Sequence, residues 1–357
     1  MPRLLIVCEY PTLLGGERSM LSTLPAITAA GFDVHVAAPH LGPLAEEVHR
    51  RGLPLHSWRD PDELAKTLDR VRPDLLHANS LSTSRVAGPV AVAADVPSVG
   101  HLRDIVKLSR QAVDDLNRHR RMVAVSQATR EFHLAQGVDP AKCDVVYNGV
   151  DLTVFRPRPA SGYLHRELGL TVGAKLVATI GQIGLRKGMD VALAAAREVP
   201  DVHWLVVGER TSTKDESLEF EQRLRAAANE PLLAGRVHFL GSRNDLSALF
   251  PECALLVHAA RQEPLGRVLL EAAACGLAVV ATDVGGTREI FPSEAEGALL
   301  VPADDATALA DAVRTLLGDQ GNRLALGQAG RRRMEVAFDV RLAAARLVDL
   351  YRSVLRL

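Results

Sequence analysis

The chain has 357 residues, of which 47% are hydrophobic and 24% charged, and its formal net charge is −1 at pH 7. This composition is typical of a globular protein with a sizeable core, and it excludes the global basic field expected of a nucleic-acid-binding protein. At roughly 100–200 residues per domain, the length predicts two domains, with one large domain as the alternative.

The cysteines and histidines show no metal-site spacing. The four cysteines are scattered and form no CxxC pair, which indicates buried thiols of a reducing compartment. The twelve histidines lack HxxxH and HExxH spacing, so we expect no metal site. The apolar run at Leu4–Cys8 is too short for a signal peptide, and no run approaches the ~20 residues that span a bilayer. We therefore expect a cytoplasmic protein, which leaves room for peripheral contact with the inner membrane face.

Short apolar runs alternate with amphipathic helical stretches along the first part of the chain. Two of these stretches, Arg18–Ala30 and Leu81–Ala94, have helical periodicity. The βαβα order predicts a doubly wound parallel sheet. The predicted strands are Leu4–Cys8, Val34–Ala38, Leu75–His77, Ser98–His101, Met122–Val125 and Asp144–Tyr147.

A break in this pattern at residues 148–151 (NGVD) precedes a second series of strands. We predict an N-terminal α/β domain over 1–160, a C-terminal α/β domain over 161–338, and a final helix within 339–357, at Val340–Leu357. Ligands of doubly wound sheets bind at the carboxyl ends of strands, so a cleft between the domains is the expected site. The second series of strands is Lys175–Ile180, Val202–Val207, Val237–Leu240, Ala254–Val257, Ala278–Ala281 and Ala298–Val301.

Gly15 and Gly16 lie between the first predicted strand and the first helix. Paired glycines let backbone approach a ligand, although a plain tight turn has the same sequence. The spacing is not GxGxxG, so a nicotinamide site is not predicted.

His101 and Arg103 stand at the end of another predicted strand. A histidine beside a cation at a strand's carboxyl end suits a polar site, and a structural histidine is the alternative.

Residues 181–188 (GQIGLRKG) follow a predicted strand and open a helix. Glycines with Arg186 and Lys187 at a helix N-terminus suit a phosphate, although a glycine-rich turn with exposed cations is common. The motif is not a Walker A sequence, because it lacks the GKS or GKT ending.

Residues 263–271 (EPLGRVLLE) contain two glutamates separated by seven residues. We predict that Pro264 lies in the first turn of a helix, that Glu263 lies in the loop at the N-terminus of this helix, and that the N–H groups of residues 265–267 are free. Gly266 would allow a ligand close approach. Glu271 would lie about 9 Å further along the helix axis, so the two carboxylates would bind two sets of hydroxyls on one extended molecule. The alternative is a dipole-compensating Glu263 and a solvated Glu271.

Residues 285–289 (GGTRE) follow another strand. Gly285 and Gly286 are expected to expose N–H groups, and an ordinary loop is the alternative.

Together, these motifs resemble the family 4 retaining glycosyltransferases, which have the GT-B fold of two Rossmann-like domains facing a central cleft. The resemblance covers nearly the whole chain in the expected order, and the paired-glutamate motif is its most specific part. The Gly15-Gly16 loop, residues 148–151, the two glutamates and residues 285–289 carry it. It implies that the last helix packs back on the N-terminal domain.

The resemblance also implies roles for single residues. Lys187 would contact the diphosphate of a nucleotide sugar, and Glu271 the ribose. Glu263 and the backbone of Leu265, Gly266 and Arg267 would hold the sugar. His101 would approach that sugar from the N-terminal domain. No cofactor or metal is implied, and UDP or GDP is favoured over ADP as the nucleotide.

Two positions depart from the family pattern. Gln182 stands where the family usually has an arginine that holds the diphosphate, and we expect Arg186 or Arg103 to compensate. Leu265 replaces a phenylalanine whose backbone makes the contact.

The implied reaction moves a sugar with retention of configuration to an acceptor hydroxyl of a saccharide, lipid-linked sugar or small molecule, as in polysaccharide or glycolipid synthesis. Front-side attack is favoured, with Glu263 orienting the sugar. A sugar-nucleotide epimerase and a non-catalytic nucleotide-sugar-binding protein are the alternatives. The cationic stretch 101–121 also contains acidic residues, so it suits either anionic lipid or a solvated helix.

Overall fold

The computed structural model describes residues 1–356, and the chain divides into two compact units. Unit 1 contains Met1–Gly149 and the C-terminal segment from Phe338, and unit 2 contains Val150–Ala337. This division lies between Gly149 and Val150, so residues 150–160 belong to unit 2. The last residue of the predicted C-terminal helix, Leu357, lies outside the described residues.

Unit 1 is a parallel sheet in the order β3-β2-β1-β4-β5-β6-β7. Its strands are β1 Arg3–Val7, β2 Asp33–Ala37, β3 Leu55–His56, β4 Leu75–Ala78, β5 Ser98–Leu102, β6 Arg121–Ala124 and β7 Cys143–Val145. Its helices are α1 Gly15–Ala29, α2 Pro43–Arg50, α3 Pro61–Val71, α4 Leu81–Ala93, α5 Arg110–Leu116, α6 Gln127–Leu134 and, at the end of the chain, α15 Val340–Leu355.

Unit 2 is a parallel sheet in the order β10-β9-β8-β11-β12-β13. Its strands are β8 Lys175–Ile180, β9 Val202–Val207, β10 Val237–Gly241, β11 Leu255–His258, β12 Val279–Thr282 and β13 Ala298–Val301. Its α-helices are α7 Tyr163–Leu168, α8 Met189–Glu198, α9 Asp215–Ala228, α10 Leu246–Leu249, α11 Arg267–Ala274, α12 Thr287–Ile290, α13 Ala306–Gly318 and α14 Gln320–Ala337. Short 3-10 turns cover Leu185–Lys187, Phe250–Glu252 and Glu294–Glu296.

Both sheets have every recorded strand pair parallel, which confirms the predicted fold class. The twelve strands predicted from apolar runs are confirmed to within about two residues at their ends. The two-residue strand β3 escaped prediction because Leu55–His56 is too short for a period-2 pattern.

Serine and aspartate caps start several helices directly after strands. In unit 1, Ser80 and Ser126 accept hydrogen bonds from the N–H groups of Thr83 and Thr129, at 3.0 Å each. In unit 2, Asp305 accepts one from Ala308 at 2.8 Å. Such caps satisfy N–H groups that the first helical turn leaves without partners.

Helix α15 belongs to the core of unit 1. It packs on α1, and its Leu347, Val348 and Tyr351 join the apolar cluster around β1 and β2. At its start the backbone of Val340 lies so close to Gly149 that a Cβ there would be 2.3 Å from Val340 Cα. Glycine is therefore required at this position by space.

The four cysteines are buried and unpaired, as expected of core residues. No helix among residues 1–356 is long and apolar enough to cross a bilayer.

Candidate functional site

The site in unit 2 is built on three adjacent strands. β8, β11 and β12 are neighbours in the sheet, and all run parallel. The loops that follow them, 181–188, 259–266 and 283–286, therefore leave the sheet at the same edge. Three of the motifs found in the sequence thus lie in loops of one sheet edge.

Glu263 lies at the centre of a buried cluster in these loops. Its Oε2 atom accepts hydrogen bonds from Lys187 Nζ at 2.5 Å and from His258 Nε2 at 2.7 Å. Burial would raise the pKa of Glu263, but the charge of Lys187 and the hydrogen bond from His258 together lower it well below its usual value. Among the described residues no hydrogen bond reaches Oε1, so the carboxylate is ionised with one oxygen available.

His258 completes this cluster and was missed by sequence reasoning. It is the last residue of β11 and is 2% exposed. Burial lowers the pKa of His258 although Glu263 opposes this, so the ring is neutral at pH 7 and donates from Nε2. Its position at the carboxyl end of a predicted strand, five residues before Glu263, was the available signal.

The helix after Glu263 begins later than predicted. Helix α11 starts at Arg267, and Pro264 lies in the preceding turn instead of the first helical turn. The reason is Gly266, whose φ of 101° is left-handed and cannot continue a helix. Glu271 is consequently four residues into the helix, about 6 Å along its axis instead of the expected 9 Å.

The turn before α11 leaves backbone donors available at two of the three residues for which they were predicted. The N–H groups of Leu265 and Gly266 have no acceptor among the described residues, and both residues are buried. Buried N–H groups without partners are rare in proteins, so this turn is suited to an oxygen-rich ligand.

Glu271 is paired within its own helix. Its Oε1 accepts a hydrogen bond from Arg267 Nε at 2.5 Å, and only 5% of Glu271 is exposed. It is therefore not the solvated surface charge of the alternative interpretation. Arg267 gains a side-chain role beyond the backbone contact expected from sequence.

Gly285 and Gly286 support the Glu263 loop. The N–H of Gly286 donates to the carbonyl of Glu263 at 3.0 Å. It is therefore not available to a ligand, contrary to the prediction from the sequence. A Cβ on Gly285, where φ is 53°, would lie 2.0 Å from that carbonyl oxygen. Gly285 and Gly286 thus hold the loop that carries Glu263, the first by close packing and the second by a hydrogen bond.

The turn at 181–188 places its two cations differently. Lys187 is bound to Glu263, whereas the Arg186 side chain has no hydrogen bond or ion pair within the described part of the chain. Gln182 is exposed and donates from Nε2 to Thr211 Oγ1. Arg186 is therefore a cation without a side-chain partner among the described residues, in the same turn as Gln182.

Arg261, also missed from sequence, fixes this turn. Its guanidinium donates to both carboxylate oxygens of Asp190 at 2.9 and 2.8 Å and to Asp304 at 2.6 Å. It also donates to the carbonyl of Leu185 at 2.7 Å, and its N–H donates to that of Arg186 at 2.9 Å. The loops after β8 and β11 are thereby tied together.

Unit 1 has its own polar cluster at the carboxyl edge of its sheet. Arg103 donates to the carbonyl and side-chain oxygens of Asn79, at 2.7 and 2.9 Å, and to Asn148 Oδ1 at 2.9 Å. Gly15 and Gly16 form the first turn of α1, and the carbonyl of Gly16 accepts a hydrogen bond from Asn79 at 3.3 Å. In the structure, Arg103 serves to hold the turn at residue 148.

His101 lies beside this cluster and is buried. Its Nδ1 is 3.1 Å from His77 Nε2, and its Nε2 has no partner among the described residues. Burial, with the nearby Arg103, lowers the pKa of His101 well below its usual value, so the ring is neutral. His101 also lines a cavity of about 20 Å³ together with Ser19 and Asn79.

Comparison with known families assigns both halves of the chain. Residues 14–154 match the model of Glycosyltransferase Family 4, and residues 163–333 match that of Glycosyl transferases group 1. The chain belongs to the family 4 glycosyltransferases. These two matches together span most of the chain and include every motif described above.

Relatives in this family include the D-inositol 3-phosphate glycosyltransferases of Mycobacterium tuberculosis strain H37Rv and Mycobacterium bovis strain AF2122/97. Each is 36% identical over 224 residues, which is 62% of this chain and 44% of the relative. The match therefore spans less than half the length of these relatives.

Similar folds are found among solved structures. Anabaena HepE in complex with UDP and glucose has 23% identity and a TM-score of 0.90, over 99% of this chain and 100% of HepE. Sucrose-phosphate synthase of Thermosynechococcus elongatus has 21% identity and a TM-score of 0.82, over 100% of both chains. These similarities and the two parallel-sheet units establish the GT-B fold.

Proposed function

We propose that this protein transfers a sugar, with retention of configuration, from a nucleotide-diphosphate sugar to an acceptor hydroxyl. The observation that carries the proposal is the buried cluster of Lys187, Glu263 and His258 beside the unpaired N–H groups of Leu265 and Gly266. A cation, an ionised carboxylate and backbone donors at one sheet edge match the phosphate and hydroxyl groups of such a donor.

Donor binding would exchange partners within this cluster. Lys187 would turn from Glu263 to the diphosphate, joined by the unpaired Arg186, because phosphate is a stronger competitor for a cation than a carboxylate already bound to His258. Glu263 would keep its hydrogen bond from His258 and accept from sugar hydroxyls. Glu271, held by Arg267, would accept from the ribose hydroxyls.

The reaction breaks the bond between the anomeric carbon and the diphosphate oxygen and forms a bond from that carbon to the acceptor oxygen on the same face. The acceptor's proton passes to the departing phosphate. Positive charge develops on the sugar and negative charge on the phosphate, where Lys187, Arg186 and the N–H groups of Leu265 and Gly266 would stabilise it. Glu263 orients the sugar and forms no covalent bond. This scheme needs no metal ion.

His101 is proposed to contact the transferred sugar, as the family resemblance implies. What supports this role is its buried Nε2 atom, which has no partner among residues 1–356. Gly15 and Gly16 are proposed to contact the nucleotide sugar through their backbone. Gly286 is assigned to support of the Glu263 loop instead of ligand contact.

UDP-glucose is the first donor to test, because HepE, which has a similar fold, binds UDP and glucose. Thermal shift with UDP, GDP and ADP sugars measures the preference: a nucleotide sugar at ~100 times its Kd should add about 2.7 kcal/mol of stability. D-inositol 3-phosphate, named in the mycobacterial relatives, is the first acceptor to test. NMR of the product's anomeric proton then reads the stereochemistry.

Each outcome decides between functions. Transfer with a retained anomeric configuration supports the proposal. An inverted product, or a sugar trapped covalently on Glu263, contradicts the scheme. Turnover of the donor to an epimer without acceptor selects the epimerase, and tight binding without transfer or hydrolysis selects a non-catalytic protein.

A further inference from the structure

A chain of three buried polar rings runs through unit 1, from α15 to the carboxyl edge of its sheet. The Tyr351 hydroxyl is 2.5 Å from His77 Nδ1, and His77 Nε2 is 3.1 Å from His101 Nδ1. The two imidazole rings stack at 5.3 Å, with an interplanar angle of 12°. Tyr351 is fully buried, and each histidine is 2% exposed.

All three rings are neutral at pH 7. Burial lowers the pKa of His77 to about 3 and lowers that of His101 well below its usual value. Burial also raises the pKa of the Tyr351 phenol, which therefore keeps its proton. A neutral imidazole carries one N–H and one acceptor nitrogen, so the two hydrogen bonds must share one direction.

The phenol sets that direction. His77 Nδ1 is the only hydrogen-bond partner of the Tyr351 hydroxyl among the described residues. Either direction leaves one buried donor without a protein partner within residues 1–356, the phenol O–H of Tyr351 or the Nε2–H of His101. The phenol is the better donor and the imidazole nitrogen the better acceptor, and the 2.5 Å contact has the length of a bond with an O–H donor, which is shorter than one with an N–H donor. Tyr351 therefore donates to His77 Nδ1, and His77 Nε2 donates to His101 Nδ1. The remaining proton of His101 is then on Nε2.

We propose that Tyr351 is a positioning residue that, through His77, fixes His101 in the Nε2–H form, so that His101 presents a hydrogen-bond donor and not a base. The unpaired Nε2 lies in a residue that lines the cavity of about 20 Å³, which has room for about one oxygen atom. The group this N–H fits is a hydroxyl or ring oxygen, a neutral acceptor. Its effect on sugar transfer rests on the proposed function, but the tautomer does not.

The tautomer is measured on the full chain labelled with ¹⁵N-histidine. Two-bond ¹H–¹⁵N correlation spectra distinguish a protonated ring nitrogen from an unprotonated one. We expect protonated Nε2 and unprotonated Nδ1 for both His77 and His101 in the ligand-free protein. A protonated Nδ1 on His101 would overturn the proposal, and this readout requires no variant to fold.

Tyr351→Phe removes the hydroxyl and keeps the ring that packs against Phe32. We expect the His101 ring to become a mixture of the two tautomers in this variant. Tyr163→Phe is the matched control, because it also removes a hydrogen-bonded tyrosine hydroxyl, which donates to Asp245 at 2.9 Å in unit 2. An unchanged His101 spectrum in Tyr351→Phe, or the same change in the control, would contradict the proposal.

Activity gives the second measurement. Tyr351→Phe should lower kcat by about 10- to 100-fold, the range seen when the partner that orients a metal-binding histidine is removed, and should leave the donor KM nearly unchanged. An unchanged kcat with a mixed tautomer would overturn the positioning role. If no donor and acceptor pair reacts with the unaltered protein, the proposed function fails while the spectra still decide the tautomer.

Discussion

The two sheets carry opposite kinds of polar chemistry at their carboxyl edges. In unit 2, Lys187 and His258 lower the pKa of the buried Glu263, whereas in unit 1 burial raises the pKa of Glu17. Unit 2 uses ion pairs, and unit 1 uses neutral histidines together with an arginine bound to amides. Ion pairs can exchange one charged partner for another, so the first arrangement suits a charged ligand. Neutral hydrogen bonds keep a fixed direction, so the second suits orientation of a single donor.

The largest expected effect comes from breaking the unit 2 cluster. Lys187→Ala leaves the buried Glu263 without its cation, which should lower the free energy of unfolding by about 3 kcal/mol. Loss of the same cation should weaken UDP binding by at least about tenfold, since a charged hydrogen bond contributes roughly 1.5–3 kcal/mol. Urea unfolding and calorimetric titration with UDP measure the two effects.

The double variant Lys187→Ala, Glu263→Gln is the control for this prediction. It removes both charges, so it should recover part of the lost stability and none of the UDP affinity. Equal stability of the single and double variants would mean that the ion pair is not what holds the loop.

Close packing of the loops is the next feature to test. Gly188 has a φ of 59°, and a Cβ there would lie 1.8 Å from the carbonyl oxygen of Ala259. Gly188→Ala should therefore destabilise unit 2 by about 1–3 kcal/mol and impair nucleotide binding. Gly184→Ala in the same loop meets no atom within 4 Å and is the matched control. Similar thermal unfolding of both variants would contradict the packing argument.

Acid should act on unit 1 through its neutral histidines. The pKa of His77 is lowered to about 3 and that of the buried His119 to about 4, from a usual value of 6.5. The unfolded state therefore binds more protons than the folded state between about pH 6.5 and 4. Stability is full above this window and falls with decreasing pH within it, by about 1.4 kcal/mol per pH unit for each such histidine.

Urea unfolding at a series of pH values checks this slope. His119→Gln should reduce the slope of the unfolding free energy against pH by the equivalent of about one proton taken up on unfolding. His40→Gln, which removes an exposed histidine, is the matched control. A slope that does not change in His119→Gln would show that other groups cause the acid sensitivity.

A smaller effect is expected from adding a charge to unit 2. Gln182→Arg places a guanidinium where the family usually has one, and it should tighten UDP binding by roughly tenfold. Arg186→Ala in the unaltered chain should weaken UDP binding by a comparable factor, because Arg186 would be the compensating cation. If Arg186→Ala leaves the Kd unchanged, compensation by this residue is wrong.

The smallest expected effect is that of a chelator. With Lys187, Arg186 and backbone N–H groups as the phosphate-binding set, excess EDTA should leave the transfer rate unchanged. If EDTA abolished activity and Mg²⁺ restored it, phosphate binding by these side chains and N–H groups without a metal ion would be contradicted. A buffer-matched sample without EDTA is the control.

Much of the fold followed from the sequence because its signals are local. Parallel strands buried on both faces are continuous apolar runs, and helices between them have a 3.6-residue period, so Lys175–Ile180 and Val202–Val207 were predicted with their observed ends. The later start of α11 was not predicted, because Pro264 suits a first helical turn and only the left-handed φ of Gly266 rules it out.

What the sequence by itself determined is the two-sheet architecture and the set of residues after the strands, including Glu263, Glu271 and Lys187. The partner of Glu271 is local, since Arg267 lies one turn earlier in the same helix, but tertiary structure decided the other partners. His258 joins Glu263, and Tyr351 lies against His77, 274 positions earlier in the chain. His77 and Tyr351 are too far apart in the chain to leave a periodic or spacing signal, and the hydrogen-bond direction and pKa of both groups depend on which side chains burial brings together.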